Sequence, residues 1–237
     1  MTRSHGRVRA IRMVGTAFVV VGLAALAWSF VVWQWNDPFT SLYTRWQQHE
    51  LTAEHREVVK TFRPLPPPAT QTSPADAAIV VKRNATRFRR TAATGSPIGR
   101  IIAPQLDLNM LFVNGTGHED LKKGPGRDER TYMPGQGQLI YIAGHRTTYG
   151  APLAHIDRMK VGDRITLEMP YGKFVYSVTG HQIVDDQDLS VLRSRGKEVL
   201  ALQACHPRFF ATQRYIVWAE PVSVTPTGGA PYEPIGS

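Results

Sequence analysis

The hydrophobic pattern changes character three times along the chain. From Met13 to Trp33 (MVGTAFVVVGLAALAWSFVVW) 21 consecutive residues carry no formal charge and most are apolar. A helix of about 20 such residues crosses the hydrocarbon core of a bilayer. From Thr40 to Phe62 apolar residues recur among polar ones, at Leu42, Trp46, Leu51, Val58 and Val59, without Gly or Pro. That spacing predicts a helix, read as a stalk rising from a membrane. From Arg63 to Ala78 (RPLPPPATQTSPADAA) Pro, Thr and Ala dominate, which reads as a semi-rigid linker with no capacity for a core.

From Gly95 onward the texture changes again. Short β-branched and aromatic segments alternate with Gly, Pro and Asp: residues 99–114, 138–144, 163–169, 173–184, 198–204 and 214–224. Repeated short strands separated by turn residues predict an all-β barrel or sandwich. Pro170-Tyr171-Gly172 makes a hairpin turn between two of them. Helical signals here are weak; Leu153–Met159 and Asp188–Arg193 fit short turns. The expected organisation is therefore a basic N-terminus (1–12), a transmembrane helix (13–35), a stalk and Pro-rich, basic linker (36–94), a β-domain (95–225) and a disordered tail (226–237).

Charge fixes a direction. Arg3, Arg7, Arg9 and Arg12 precede the apolar run, whereas Asn36 and Asp37 follow it. The positive-inside rule puts the N-terminus in the cytoplasm and the β-domain outside. Trp28, Trp33 and Trp35 suit the outer interface. Ala25-Leu26-Ala27 offers a signal-cleavage pattern, but the apolar run continues to Trp33, which favours a retained anchor. Both readings export the rest of the chain.

The net charge is +9. Lys82, Arg83, Arg87, Arg89 and Arg90 form a basic run, read as solvated linker or as contact with anionic polymers and headgroups. No arginine-rich helix interleaved with aromatics and no zinc-finger spacing is present, which argues against nucleic acid. A single cysteine excludes an intrachain disulfide and a multi-cysteine metal site. Asp185, Asp186 and Asp188 read as solvated loop acids, so neither a metal nor a cofactor is expected.

That lone cysteine, Cys205, follows the apolar segment EVLALQA, and Arg214 opens the next segment, RYIVWAE. If these pair as a hairpin, Cys205 and Arg214 sit close together. A guanidinium there could stabilise a thiolate or an oxyanion. A small buried apolar cysteine is the other reading of the same stretch. In YIAGHRTTYGAP (141–152) His145 follows an apolar strand as the chain turns into a loop, a position suited to proton transfer. Cys and His at two strand ends with a basic third member make a thiol-transferase constellation.

The elements AGHRTTYGAP, LALQACHP and Arg214, with PGQGQLIYIAGH and VGDRITLE, resemble the sortases, membrane-anchored cysteine transpeptidases of Gram-positive bacteria. GHRTTYGAP and CHPRF look most like the actinobacterial class E type. The resemblance covers about Gly95 to Val224 and implies a closed barrel of about eight strands with short helices. Two departures stand out. The residue before the family cysteine is commonly Thr, here Ala204; and family members often carry a His after the GPG turn, where this chain has GPGRDER (124–130).

The resemblance implies that Cys205 is the nucleophile and attacks the Thr–Gly bond of a C-terminal sorting signal on a secreted protein. His145 would protonate the leaving amine, and Arg214 would hold the signal's backbone or the oxyanion. An amine acceptor on a peptidoglycan precursor or a pilin would then resolve the thioacyl enzyme. The substrate groove would lie between the Cys205 strand and the segment before it, with Thr147, Thr148 and Tyr149 near the opposite wall and Ala204 contributing. The family implies a plasma-membrane enzyme attaching proteins to the cell wall or to pili, with Leu-Ala-x-Thr-Gly favoured over Leu-Pro-x-Thr-Gly signals in class E. With ordinary pKa values of about 8.5 and 6.5, a Cys–His pair titrating independently is an ion pair in only about 1% of molecules at pH 7. Other exported cysteine enzymes fit less well: L,D-transpeptidases place Ser-His-Gly before the cysteine, and papain-like enzymes place Cys ahead of His. A non-enzymatic exported binding domain is the remaining alternative.

Overall fold

The computed structural model describes residues 4–34, 38–66 and 73–234. Arg3, Trp35, Asn36, Asp37, residues 67–72 of the expected linker and the last three residues of the tail lie outside the described residues.

The β-domain is a closed eight-stranded barrel in the order β1-β2-β3-β4-β7-β8-β6-β5. Its strands are β1 (Pro97–Ala103), β2 (Leu108–Asn114), β3 (Gly126–Arg127), β4 (Leu139–Ala143), β5 (Arg164–Met169), β6 (Gly172–Asp185), β7 (Val199–His206) and β8 (Gln213–Pro226). Strand periodicity explains the two faces. Leu200, Leu202 and Ala204 of β7 point inward with Ile140, Ile142, Val217 and Ala219. Val199 and Ala201 point outward and pack with Leu139, Tyr141, Ile216 and Trp218 under Val191 of a short 3₁₀ turn, Leu189–Leu192. Alternation of this kind follows from side chains projecting to opposite faces at successive residues. All six expected strand segments are found. Met169 pairs with Gly172 across the expected tight hairpin.

Among the described residues, four α-helices accompany the barrel: α1 (Ser4–Gln34), α2 (Pro38–Thr61), α3 (Pro74–Thr91) and α4 (His118–Lys123). Helix α1 contains an apolar span, Val8–Val31, long enough to cross a membrane and entirely unburied by the rest of the chain.

Helix α2 forms as expected, but it is not a free stalk. It lies lengthwise on the barrel. Thr40 accepts a hydrogen bond from the Tyr149 amide (2.7 Å), and Thr44 donates to the Lys122 carbonyl (3.0 Å). Further along, Leu51 packs on Leu111 and Val113. Just beyond its end, Phe62 meets Phe88 and Tyr171. The docking is partly polar. The Gln48 amide donates to the Leu111 and Lys123 carbonyls and accepts from the Leu111 amide. It thereby replaces a neighbouring strand where β2 pairs with β3 only at Val113 and Asn114. Buried backbone groups need such partners.

The segment from Pro74 is likewise a docked helix and not a coreless linker. Ser73 caps α3 by accepting from the Asp76 amide, and Pro74 occupies the first turn. Ala77, Val81, Ala85 and Phe88 form its buried face, at helical spacing. Phe88 sits edge-on to Phe62 at 5.1 Å. Burying such a ring contributes about 2–3 kcal/mol. The preceding chain is pinned as well, because Asn84 exchanges hydrogen bonds with both the amide and the carbonyl of Leu65. The basic run is the outer face of this helix: Lys82, Arg83, Arg87 and Arg90 are exposed, and Arg89 stacks over Tyr132. The tail after Pro226 also returns to the barrel. Tyr232 pairs with Val224 and packs against the core.

Candidate active site

Three neighbouring strands place the site. β4 and β7 run parallel with Ala143 opposite Gln203. Two residues further along each chain, His145 and Cys205 come to the same level. The Gly144 amide donates to the Gln203 carbonyl (3.0 Å), so the register holds as far as this exit. On the other side of β7, Cys205 is the direct antiparallel partner of Arg214 in β8. Neighbouring strands are about 4.8 Å apart. His145, Cys205 and Arg214 therefore form one row across β4, β7 and β8 at one end of the barrel. Cys205 and Arg214 share the outer face, because Ala204 between Gln203 and Cys205 is inward.

Local sequence explains how His145 is held. A side chain at Gly144 would approach Leu153 at 2.9 Å, so glycine lets the loop close over that buried leucine. The Leu153 amide donates back to the His145 carbonyl (3.1 Å). Tyr149, Gly150 and Ala151 all take left-handed backbone, with φ of 52°, 72° and 41°. For Tyr and Ala this is a strained conformation that the surroundings must stabilise. The Thr40 hydroxyl of α2 does so at Tyr149. The Tyr149 ring covers the imidazole at 5.0 Å between centroids.

The His145 Nε2 is buried and has no hydrogen-bond partner among the described residues. Burial, reinforced by nearby His118, lowers the imidazole pKa below 6.5. The neutral form is favoured because nothing compensates desolvation of the cation. In a Cys–His enzyme the singly protonated pair is the working form, and it accumulates above the lower of the two apparent pKa values. The acidic limb of a kcat/KM profile against pH is expected below pH 6.5. A stopped-flow or fluorogenic pH series measures it, and a midpoint above 6.5 would contradict this assignment of His145.

Arg146, the next residue, was not singled out by the sequence. It is 4% exposed. Its guanidinium donates to the Cys205 carbonyl (3.2 Å) and to Nδ1 of His206 (3.0 Å), and it pairs with Asp157 (2.8 Å). Because a guanidinium only donates, Nδ1 of His206 is the unprotonated nitrogen. Arg146 thus fastens the His145 loop to the backbone of the nucleophile strand.

Arg214 is oriented by its own loop. Nη1 donates to the carbonyls of Ala211 (2.8 Å) and Gln213 (3.0 Å), and Nη2 lies 3.7 Å from the Asp186 carboxylate. Beside it is a cavity of about 210 Å³. Tyr141, Ala143 and Gln203 form its floor, and Leu189, Val191 and Leu192 form a wall. The cavity lies between Gln203 of β7 and the segment preceding that strand, the region where a groove is expected; Arg214 lines it, whereas Cys205, His145 and Thr147–Tyr149 do not. Burial and the Asp128 carboxylate raise the pKa of the Tyr141 hydroxyl, which stays protonated there.

The other expected positions divide. Thr147, Thr148 and Tyr149 are half-buried on the loop after His145. Ala204 is different: its methyl is fully buried in the barrel interior, so it is not part of the groove surface. The GPGRDER departure also has a structural reading. Arg127 is buried and donates to Asn114 and to the Thr131 carbonyl, binding β3 to its surroundings. Burial lowers its pKa to about 10, which leaves it charged at neutral pH.

A strand-end cysteine, a histidine level with it and an arginine paired across from it are the residue types that cysteine acyl transfer needs, carried here on a β-barrel. The family model for the sortase domain matches residues 101–222, just over half of the chain, and the chain belongs to the sortase family of cysteine transpeptidases. It is 31% identical over 134 residues to sortase D of Bacillus subtilis, a match covering 55% of this chain and 66% of that protein. Among solved structures it is similar to sortase E from Streptomyces avermitilis, with 30% identity, a TM-score of 0.51, and coverage of 57% of this chain and 93% of that one. Sortase E1 from Streptomyces coelicolor, solved with a tripeptide in its active site, is 27% identical with a TM-score of 0.52, covering 56% and 91%. The expected class E links are therefore present, alongside a class D relative at 31% identity.

Proposed function

We propose that the chain is a membrane-anchored sortase that cleaves a C-terminal sorting signal of a secreted protein and passes the protein to an amine. The Cys205 thiolate adds to the threonine carbonyl of the scissile Thr–Gly bond. The Arg214 guanidinium binds the resulting oxyanion or the adjoining backbone. The tetrahedral adduct collapses as His145 donates its proton to the departing glycine amine, leaving a thioester on Cys205. An incoming amine gives its proton back to the imidazole, attacks the thioester and restores the thiolate. Tyr149 covers His145, so this ring must turn aside for a leaving amine to reach Nε2.

The single observation that carries this reading is the register that brings His145, Cys205 and Arg214 into one row, with Arg214 lining the cavity beside it. Leu189, Val191 and Leu192 offer apolar contacts for the signal's first residues, with Thr147, Thr148 and Tyr149 on the other side. The signal class is Leu-Ala-x-Thr-Gly or Leu-Pro-x-Thr-Gly. The acceptor is an amine of a peptidoglycan precursor or a pilin. Helix α1 holds the enzyme in the plasma membrane, with the arginine-flanked N-terminus in the cytoplasm and the barrel outside.

The test is to incubate the full chain in nanodiscs with a Leu-Ala-x-Thr-Gly peptide and a glycine-based amine. An amide product whose yield rises with added amine is expected. Recovery of intact peptide, here and with the Pro-containing signal, would contradict the proposal.

A further inference from the structure

The course of α2 fixes which end of the barrel faces the membrane. Its first turns touch the catalytic loop: Thr40 binds the Tyr149 amide, and the Tyr43 ring meets Tyr149 at 6.3 Å. Its other end reaches Phe88 and Tyr171, at the β5–β6 hairpin. In β6 that hairpin lies opposite Asp185, which pairs with Gln213 beside Arg214. A helix of 24 residues is about 36 Å long, enough to run the length of the barrel. The chain therefore enters at the catalytic end and travels away from it.

The apolar span ends at Val31, α1 ends at Gln34 and α2 starts at Pro38. Four Cα steps separate these helices and can cover at most about 14 Å. If α1 is embedded, the barrel cannot stand off on a long tether, and its catalytic end is the end held next to the bilayer.

The distribution of aromatic side chains agrees. Among the described residues after Thr40, five aromatic side chains are exposed: Tyr43, Trp46, Tyr132, Phe209 and Phe210. All but Tyr132 belong to the first turns of α2 or to the loop that follows Cys205. Phe209 and Phe210 are 57% and 79% exposed and stand beside Arg208. Leu189 at the groove wall is exposed too. Aromatic rings of this kind partition to the headgroup region of bilayers. The acids at this end are engaged within the protein: Asp185 accepts from the Gln187 amide, Asp188 from the Ser190 amide, and Asp186 faces Arg214.

We propose that the catalytic end rests on the outer bilayer surface, with Phe209 and Phe210 seated among the lipid headgroups and Tyr43 and Trp46 at the same depth. The active site then opens onto the membrane interface, and the enzyme takes signals presented at that surface. This rests on reading α1 as a retained anchor.

The experiment uses the full chain in nanodiscs, in a Cys205→Ala background, with an environment-sensitive fluorophore on one introduced cysteine. Three variants are compared: Phe210→Cys, Ile79→Cys and Ala17→Cys. Ile79 is an exposed control at the far end, where it lines a cavity with Gly137 just before β4. The label at 210 is expected to be quenched by lipid-borne quenchers and to be at least about threefold less accessible to aqueous iodide than the label at 79. Equal iodide accessibility at 210 and 79, with the label at 17 quenched from the lipid, would overturn the proposal and leave the anchor standing. A label at 17 open to iodide would overturn both.

Discussion

Cys205→Ala is expected to lower turnover of a sorting-signal peptide by at least about 10⁴-fold, because no other group in the row can form the thioester. The fold should survive. Cys205 is half-buried at the end of β7, and losing one sulfur there should shift the melting temperature by only a few degrees. The two readouts must be taken on the same preparation. Loss of turnover with an unchanged melt supports a chemical role. Retained turnover would make the cysteine a packing residue and place the nucleophile elsewhere.

Arg214→Lys is the second large effect. It should lower kcat/KM by about 10²- to 10³-fold, comparable to removing one oxyanion donor. The net charge is unchanged, so electrostatic attraction alone predicts little loss. Geometry predicts more. Nη1 of Arg214 is anchored on the Ala211 and Gln213 carbonyls, which aims the rest of the guanidinium at the groove. An ammonium has no planar fork and cannot keep that anchorage while also reaching the substrate. The loss should fall mainly on kcat if the contact forms in the transition state, and on KM if it only holds the backbone of the signal. Near-normal kinetics would remove Arg214 from the chemistry.

The strands were legible because β-propensity, turn residues and inside–outside alternation agree from Pro97 to Pro226. The hairpin placing Cys205 opposite Arg214 could be read for the same reason. Helix α3 carried a usable signal that the Pro-rich stretch before it obscured. Ser73-Pro74-x-Asp76 is a helix start, and Ala77, Val81, Ala85 and Phe88 follow at helical spacing. The docking of α2 was less visible, because Gln48 and Thr44 dock it through hydrogen bonds to backbone carbonyls. Hydrophobic periodicity does not register such contacts, and Leu42 and Trp46, two of its apolar positions, remain exposed.

The site shows the same division. The strand-end placement of His145 and Cys205 was legible from the apolar segments that precede them. Arg146 was not, because a charged residue beside a loop histidine ordinarily faces solvent. Its burial depends on four acceptors outside its own turn: the carbonyls of Ala154 and Cys205, Nδ1 of His206 and Asp157. Ala204 was assigned to the groove from its place next to the nucleophile. Strand alternation turns it inward.

The most direct test of the central claim is the intact mass of the full chain mixed with a sorting-signal peptide in the absence of an amine acceptor, followed by peptide mapping. The account predicts an acyl adduct of the mass of the peptide's Thr-terminated fragment, located on Cys205, that disappears on addition of the amine. Cleavage of the peptide with no adduct on Cys205, or with the adduct on another residue, would contradict it.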